Sequence, residues 1–292
     1  MMKIAVVIPS FNRCELLQRL LYQIYEQLPE KDFIVVVNDG SSDGTSSMLA
    51  ETFPQAIEVI GDGNWWYTRS INEGIKRALE EGPSHILMLN DDIELDAQYF
   101  EKMIDGAQKQ DKDTIIGSLS VTYEEPHLLT FSGVKDFQWW RYRSVDYHPI
   151  FQPIDLVDFK GLVPSVILPG RGMLIPVSIL EEIGLLNEDY IQYGSDDEIC
   201  LRARKKGHPV MVNWEAVVYS HHRLTGSGSS FVKESLGSHL RSYLSPYSRN
   251  YWRKYVKNIF TYGNKLLFPL TMAIVVLGNL KSFLNFRLKD HE

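Results

Sequence analysis

An α/β fold, with a mostly parallel central sheet covered by helices on both faces, is predicted for these 292 residues by three observations. Short apolar runs alternate with stretches of helical spacing through positions 1–120. Clusters rich in Asn, Asp and Gly follow several of the runs, as expected where buried parallel strands end. The composition, 44% hydrophobic and 23% charged, is enough to bury one large core.

Apolar runs suited to buried strands occupy 4–8, 33–37, 56–60, 85–89 and 114–119. Between them, helical spacing covers 14–27, 45–51, 68–81 and 96–108, and Gly82-Pro83 stops the third helix. This order predicts right-handed βαβ units. Residues 120–170 predict an inserted hairpin with strands at 131–137 and 139–147. Arg141 and Arg143 flank Tyr142 and would share a strand face, toward an anionic acceptor or toward solvent. Cys14 and Cys200 lie in apolar helical patterns, which predicts an intracellular protein without disulfides. The N-terminus predicts a first strand and no signal peptide.

The charge is divided. Positions 1–234 carry 21 Lys or Arg against 35 Asp or Glu, whereas 235–289 carry nine Lys or Arg and no carboxylate. Fifteen uncharged residues separate Lys265 from Lys281, preceded by tyrosines and Trp252 interleaved with basic residues. A span needs about 20 apolar residues, so this tail predicts amphipathic and apolar helices on an anionic membrane surface rather than a crossing. A helix packed on the body, or an interface in a homo-oligomer, would use the same residues. Nucleic-acid binding would leave the apolar run unexplained, so no nucleic acid is expected.

Three polar clusters should share one sheet edge: Pro9-Ser-Phe-Asn-Arg13, Asn38-Asp-Gly-Ser-Ser-Asp-Gly-Thr45 and Asn90-Asp-Asp92. Each alone is also good turn or cap chemistry. The stretch 86–95 holds no basic residue, so its adjacent carboxylates would repel each other unless something positive binds there. A hard cation, Mg²⁺ or Mn²⁺, completed by substrate phosphates fits such oxygen donors. Further on, Ser195-Asp-Asp-Glu198 matches a capping box, with Arg204, Lys205 and Lys206 at the far end of the same helix. Asp196, at that helix start, is equally placed to act as a general base.

Val6-Val-Ile-Pro-Ser-Phe-Asn-Arg13, Val37-Asn-Asp-Gly-Ser-Ser-Asp-Gly-Thr45, Leu89-Asn-Asp-Asp92 and Gly194-Ser-Asp-Asp-Glu-Ile-Cys-Leu-Arg202, in this order, resemble the family 2 glycosyltransferases of GT-A fold over about 3–225. The resemblance implies an inverting transferase using a nucleotide-diphosphate sugar and a divalent metal. It implies that Pro9, Ser10, Asn12 and Arg13 border the nucleotide and that Asp39 bonds its base. Asp92 would seat the metal, beside Asn90 and Asp91, and Asp196 would deprotonate the acceptor hydroxyl. Asn90 stands where relatives often have Asp, and Ser195 replaces an acid. His221 or His222 would complete the metal site, or both would be ordinary surface histidines. Trp65 or Trp66 would cover the donor or sit in the core, while Arg69 and Arg171 are candidate phosphate contacts.

These readings divide the chain into a catalytic domain at 1–234 and a membrane-association tail at 235–292. The catalytic domain would have a nucleotide-sugar half at about 1–120 and an acceptor half at about 121–234. The expected role is transfer to a glycan or polyprenyl-diphosphate-linked acceptor in surface polysaccharide synthesis, on the cytoplasmic face of the cell membrane. A catalytically weak subunit that docks nucleotide-sugar or glycan is the alternative. A nucleotidyltransferase is disfavoured, because Ser10-Phe-Asn-Arg13 is no Gly-rich basic pyrophosphate loop.

Overall fold

A computed structural model describes residues 2–221 and 235–289, the latter with side chains to 284. The first half runs β1 (Ile4–Ser10), α1 (Cys14–Gln27), β2 (Phe33–Asn38), α2 (Thr45–Thr52), β3 (Ile57–Ile60), α3 (Trp66–Leu79), β4 (His85–Met88), β5 (Ile93–Leu95), α4 (Tyr99–Gln108) and β6 (Ile115–Thr122). The second half runs β7 (Leu129–Phe131), β8 (Val134–Gln138), β9 (Arg143–Asp146), β10 (Leu162–Pro164), β11 (Met173–Pro176), α5 (Val177–Ile183), α6 (Ser195–Lys205), β12 (Val210–Ser220), α7 (Leu236–Ser242), α8 (Trp252–Tyr262) and α9 (Phe268–Lys289).

The main path through the sheet is β10-β12-β6-β11-β4-β1-β2-β3. β1 runs parallel to β2 and β4, β2 to β3, and β6 to β12. β11 is antiparallel to both β4 and β6, with Leu174 opposite Leu87 and Ile116. The sheet is therefore mixed, with four of the seven pairings along this path parallel. The strand that joins its two parallel parts enters after the inserted hairpin and runs the other way.

Alternation along β1 builds two cores. Ile4, Val6 and Ile8 pack with Leu17, Leu20, Leu21 and Ile24 of α1 on one face. Ala5 and Val7 pack with Ile71 and Ile75 of α3 on the other. A period of two sends successive side chains to opposite faces, so a continuously apolar strand implies helices on both sides.

The inserted hairpin forms, but its turn lies later than expected. Asp136 is inside β8, opposite Val145, and the turn is Trp139–Arg141 with Tyr142 in the left-handed region at φ 49°. Arg141 therefore lies in the turn, over the Trp140 ring, while Arg143 opens β9, and the expected shared cationic strand face does not form.

The tail packs on this hairpin. Asn258 of α8 donates to the Tyr142 hydroxyl at 2.7 Å and accepts from the Tyr190 hydroxyl. Thr271 of α9 donates to the Trp140 carbonyl at 2.9 Å, and Phe283 stacks on His239 with ring centroids 4.5 Å apart. The helix continues through Lys281, so its 22 residues extend about 33 Å. Lys265–Leu284 is long and apolar enough to cross a membrane by length and composition, with 17% of it buried, so the length argument against a crossing does not hold.

Gly74 lets α3 lie directly on the sheet, because a Cβ there would meet Val7 Cγ1 at 2.5 Å and Val37 Cγ2 at 2.7 Å. Gly74→Ala should lower stability by about 1–3 kcal/mol through overpacking, read as a lower denaturant midpoint with an unchanged slope.

Candidate active site at the carboxyl ends of the strands

The ends of β1, β2 and β4 meet, as the three polar clusters predicted, around a cavity of about 490 Å³. Pro9, Ser10, Arg13, Asp39, Trp66, Asn90, Asp91, Asp92, Arg171 and Asp196 line it.

The carboxylates do not lack a cation. Arg13 Nη1 lies 2.9 Å from Asp91 Oδ1 and 3.0 Å from Asp92 Oδ2. Positive charge absent from 86–95 is supplied by the loop after β1, which only the parallel pairing of β1 with β4 brings there. Burial still pushes the Asp91 carboxyl up to about 6, against the pull of Arg13. Asp92 Oδ1 and Asn90 Oδ1 are buried and have no hydrogen-bond partner among the described residues. These two oxygens fit a hard cation that takes one or two protein ligands and completes its shell with substrate phosphates. No group of three His, Cys, Asp or Glu among the described residues forms a full cage.

Asp39 is engaged by backbone. Its Oδ1 accepts from Gly63 N–H at 2.9 Å, and its Oδ2 from Trp65 and Trp66 N–H at 2.9 and 3.2 Å. This carboxylate fixes the turn into α3, where Trp66 takes φ 58°, a strained conformation for a bulky residue. Gly61 is required beneath it, since a Cβ would meet Asp39 Oδ1 at 2.4 Å.

Asp196 opens α6. Its Oδ2 accepts from Gly170 N–H at 3.0 Å and its Oδ1 from Asp197 N–H at 3.0 Å. The expected capping box is not formed: Gly194 is the cap, without a side-chain bond. Ser195 instead accepts from the Thr68 hydroxyl at 2.8 Å, and Glu198 pairs with Arg202 at 3.0 Å. Positive φ at Gly194 brings α6 in so that Ser195 is buried against α3. Arg171 donates to Ser220 Oγ at 2.9 Å, and burial lowers its pKa while Asp92 and Asp196 raise it. Burial likewise raises the Tyr67 hydroxyl, with Asp196 adding to the effect.

Several expected site residues are not brought to the cavity. Asn12 ties two loops together, donating its N–H to Ser41 Oγ at 2.9 Å and accepting from Ser42 N–H at 2.8 Å. Arg69 lies over the Trp65 ring, because the helical period turns Trp66, Tyr67 and Ser70 inward and Arg69 outward. His221 sits 3.2 Å from Glu94 and against Tyr123, its N–H donates to the Asp92 carbonyl, and it does not line the cavity. His222 lies outside the described residues.

Tyr67, Gln192, Tyr193 and Arg249 line the cavity without having been singled out. Tyr67 directly follows the Trp pair and Tyr193 precedes Gly194, so adjacency was a usable signal for both. Arg249 had none, being one basic residue among many in the tail.

The profile of Glycosyl transferase family 2 matches residues 5–163, more than half of the chain, and the chain belongs to that family. Its fold is the GT-A fold expected from that family. A curated relative, the low-salt glycan biosynthesis hexosyltransferase Agl10 of Haloferax volcanii, is 25% identical over 181 residues, which is 60% of this chain and 54% of that protein. The chain thus spans about half the length of this relative. Two solved structures share the fold at 15% identity. One is GalNAc-T7 with UDP, GalNAc and Mn²⁺, at TM-score 0.61 over 75% of this chain and 44% of that one. The other is S. aureus TarS 1-349, at TM-score 0.53 over 97% of this chain and 82% of that one.

Asp39→Ala should cost about 2–4 kcal/mol, since three N–H groups lose a charged acceptor. A red shift in tryptophan fluorescence as Trp65 and Trp66 loosen, together with a lower melting temperature, is the expected reading.

Proposed function

We propose that this chain is an inverting, Mg²⁺- or Mn²⁺-dependent transferase that moves a hexosyl or deoxyhexosyl group from a nucleoside-diphosphate sugar to a hydroxyl. The acceptor is a glycan or polyprenyl-diphosphate-linked sugar in surface polysaccharide synthesis. The observation that carries this reading is one cavity holding Asp92, with a buried oxygen unpartnered among the described residues, and Asp196, held at a helix N-terminus, with Arg171 close to both. The family and a UDP- and Mn²⁺-bound neighbour support the donor class.

The chemistry follows from placement. Backbone N–H groups of Gly170 and Asp197 orient the Asp196 carboxylate, which takes the proton of the acceptor hydroxyl as it attacks the anomeric carbon. Displacement from the face opposite the leaving diphosphate inverts that centre. Arg171 meets the negative charge growing on the departing phosphate. Asp92 and Asn90 would hold the cation, which supplies Lewis-acid stabilisation of the same charge. Trp66 borders the donor side, held there by Asp39.

Attachment to the cytoplasmic face of the cell membrane is part of the proposal. Leu270, Leu277 and Leu284 are exposed along the last helix and Leu266 just before it, with Leu240, Leu244, Trp252 and Phe260 exposed nearby and Lys265 and Lys281 among them. Thr271, Val275 and Phe283 of the same helix are buried against the protein. One face bound to the body and the other apolar suits a helix lying in the interface.

A docking subunit with little turnover is the second reading. The Arg13 bridge favours it, since a guanidinium already neutralises two carboxylates at the expected metal seat.

Asp196→Asn should reduce transfer by about 10²–10⁴ while leaving nucleoside-diphosphate affinity close to wild type. Asp92→Ala should weaken Mn²⁺-dependent nucleoside-diphosphate binding in isothermal titration. Wild-type turnover by Asp196→Asn would remove the base assignment, and sustained turnover by the purified wild-type chain would remove the docking-subunit reading.

A further inference from the structure

Resting on the membrane attachment proposed above, we propose that two tryptophan–arginine pairs flank α9 and seat it flat in the headgroup layer of an anionic bilayer. One pair, Trp140–Arg141, is on the inserted hairpin, and the other, Trp252–Arg253, opens α8. Neither belongs to the apolar helix itself. Trp140 is 47% exposed and Trp252 40% exposed. Each carries the next residue's guanidinium over its ring, at 5.3 Å for Arg141 and 5.8 Å for Arg253.

Packing fixes where the pairs stand along α9. Thr271, Val275, Asn279 and Phe283 recur at every fourth position, which puts them on one face of the helix. Thr271, Val275 and Phe283 are buried against the protein, and Asn279 donates to Asn250 Oδ1 at 3.4 Å. Because Thr271 donates to the Trp140 carbonyl, the hairpin pair stands beside the first turn of α9. Asn250 lies two residues before Trp252, so the second pair stands beside the later half of α9, about 12 Å further along the axis. The length of α9 allows a crossing, but a helix tied to the body from Thr271 to Phe283 would have to break all of these contacts to stand upright in a bilayer.

The chemistry of the pairs suits one depth. Tryptophan gathers at the membrane–water boundary, where its ring meets acyl chains and its N–H meets headgroups, and a guanidinium matches lipid phosphate there. Between the pairs the outward face of α9 exposes Leu270 and Leu277, with Lys281 beyond them able to reach headgroups from an apolar setting. Charge selects the partner. Residues 235–289 carry nine Lys or Arg and no carboxylate, and Arg141 adds to them. An anionic leaflet attracts such a face, whereas a second copy brings the same positive charge and is repelled from it.

The test uses the full chain with vesicles of phosphatidylcholine alone and of phosphatidylcholine mixed equally with phosphatidylglycerol, the mixture also with bromine on shallow or on deep acyl carbons. Wild type should bind the anionic vesicles and lose more tryptophan fluorescence to shallow bromines than to deep ones. Trp140→Phe and Trp252→Phe should each remove part of that quenching. The double variant Arg141→Gln, Arg253→Gln should bind about tenfold or more weakly with its melting temperature unchanged. A second double variant, Leu270→Glu with Leu277→Glu, strikes α9 alone and reads attachment itself. Lost binding in the leucine variant, with quenching and affinity unaltered in the Trp and Arg variants, overturns the role of the pairs and leaves attachment by α9 standing. Stronger quenching by deep bromines overturns the flat placement, and equal binding to neutral vesicles overturns the anionic partner. A lipid-independent dimer that the leucine variant converts to monomer gives the face to a second copy and overturns the proposal, as does a melting temperature that falls in step with affinity. Failure of the wild-type chain to bind either vesicle overturns the attachment reading beneath it.

Discussion

The cavity depends on one ion bridge, Arg13 held between Asp91 and Asp92. Two neighbouring carboxylates at the end of a buried strand repel each other and lose hydration, and either effect alone favours protonation. Arg13 offsets this from the loop after the adjacent parallel strand, and the remaining oxygen of Asp92 has no partner among the described residues. The bridge thus does two things: it lets a strand end in charge, and it leaves a hard oxygen facing the place where substrate phosphates would arrive.

A second carboxylate shows how the same fold uses acids structurally. Asp39 gathers three backbone N–H groups and holds Trp66 in a left-handed conformation at the start of its helix. Such strain persists where surrounding bonds over-determine it, often beside a ligand site. The aromatic wall of the cavity is therefore pre-set by a hydrogen-bond network rather than by ring packing alone, and Tyr247 of the tail closes against it.

The tail joins the hairpin to the rim of the cavity. Its helices bury Tyr255, Ile259 and Val275 in a small core of their own, while Asn258 and Tyr262 bond to the hairpin tyrosine and to Glu198. Any surface that engages the exposed leucines of the last helix is thereby linked mechanically to the helix whose first turn holds Asp196. The Tyr262–Glu198 bond, 3.0 Å long, reaches that helix two residues beyond Asp196.

The sequence by itself determined the strands and helices of the first half and the convergence of three polar clusters, because hydrophobic period and turn chemistry are local properties. Pro9, Asp39, Asp92 and Asp196 were legible for the same reason: each stands in a short motif at an element end. Only the tertiary structure decided that Arg13 neutralises the strand-end carboxylates, that Arg69 and His221 point elsewhere, that the middle strand runs antiparallel, and that Arg249 enters the cavity. Each of these depends on contacts between segments far apart in the chain. Such contacts follow from packing and register, which no local pattern of residues encodes.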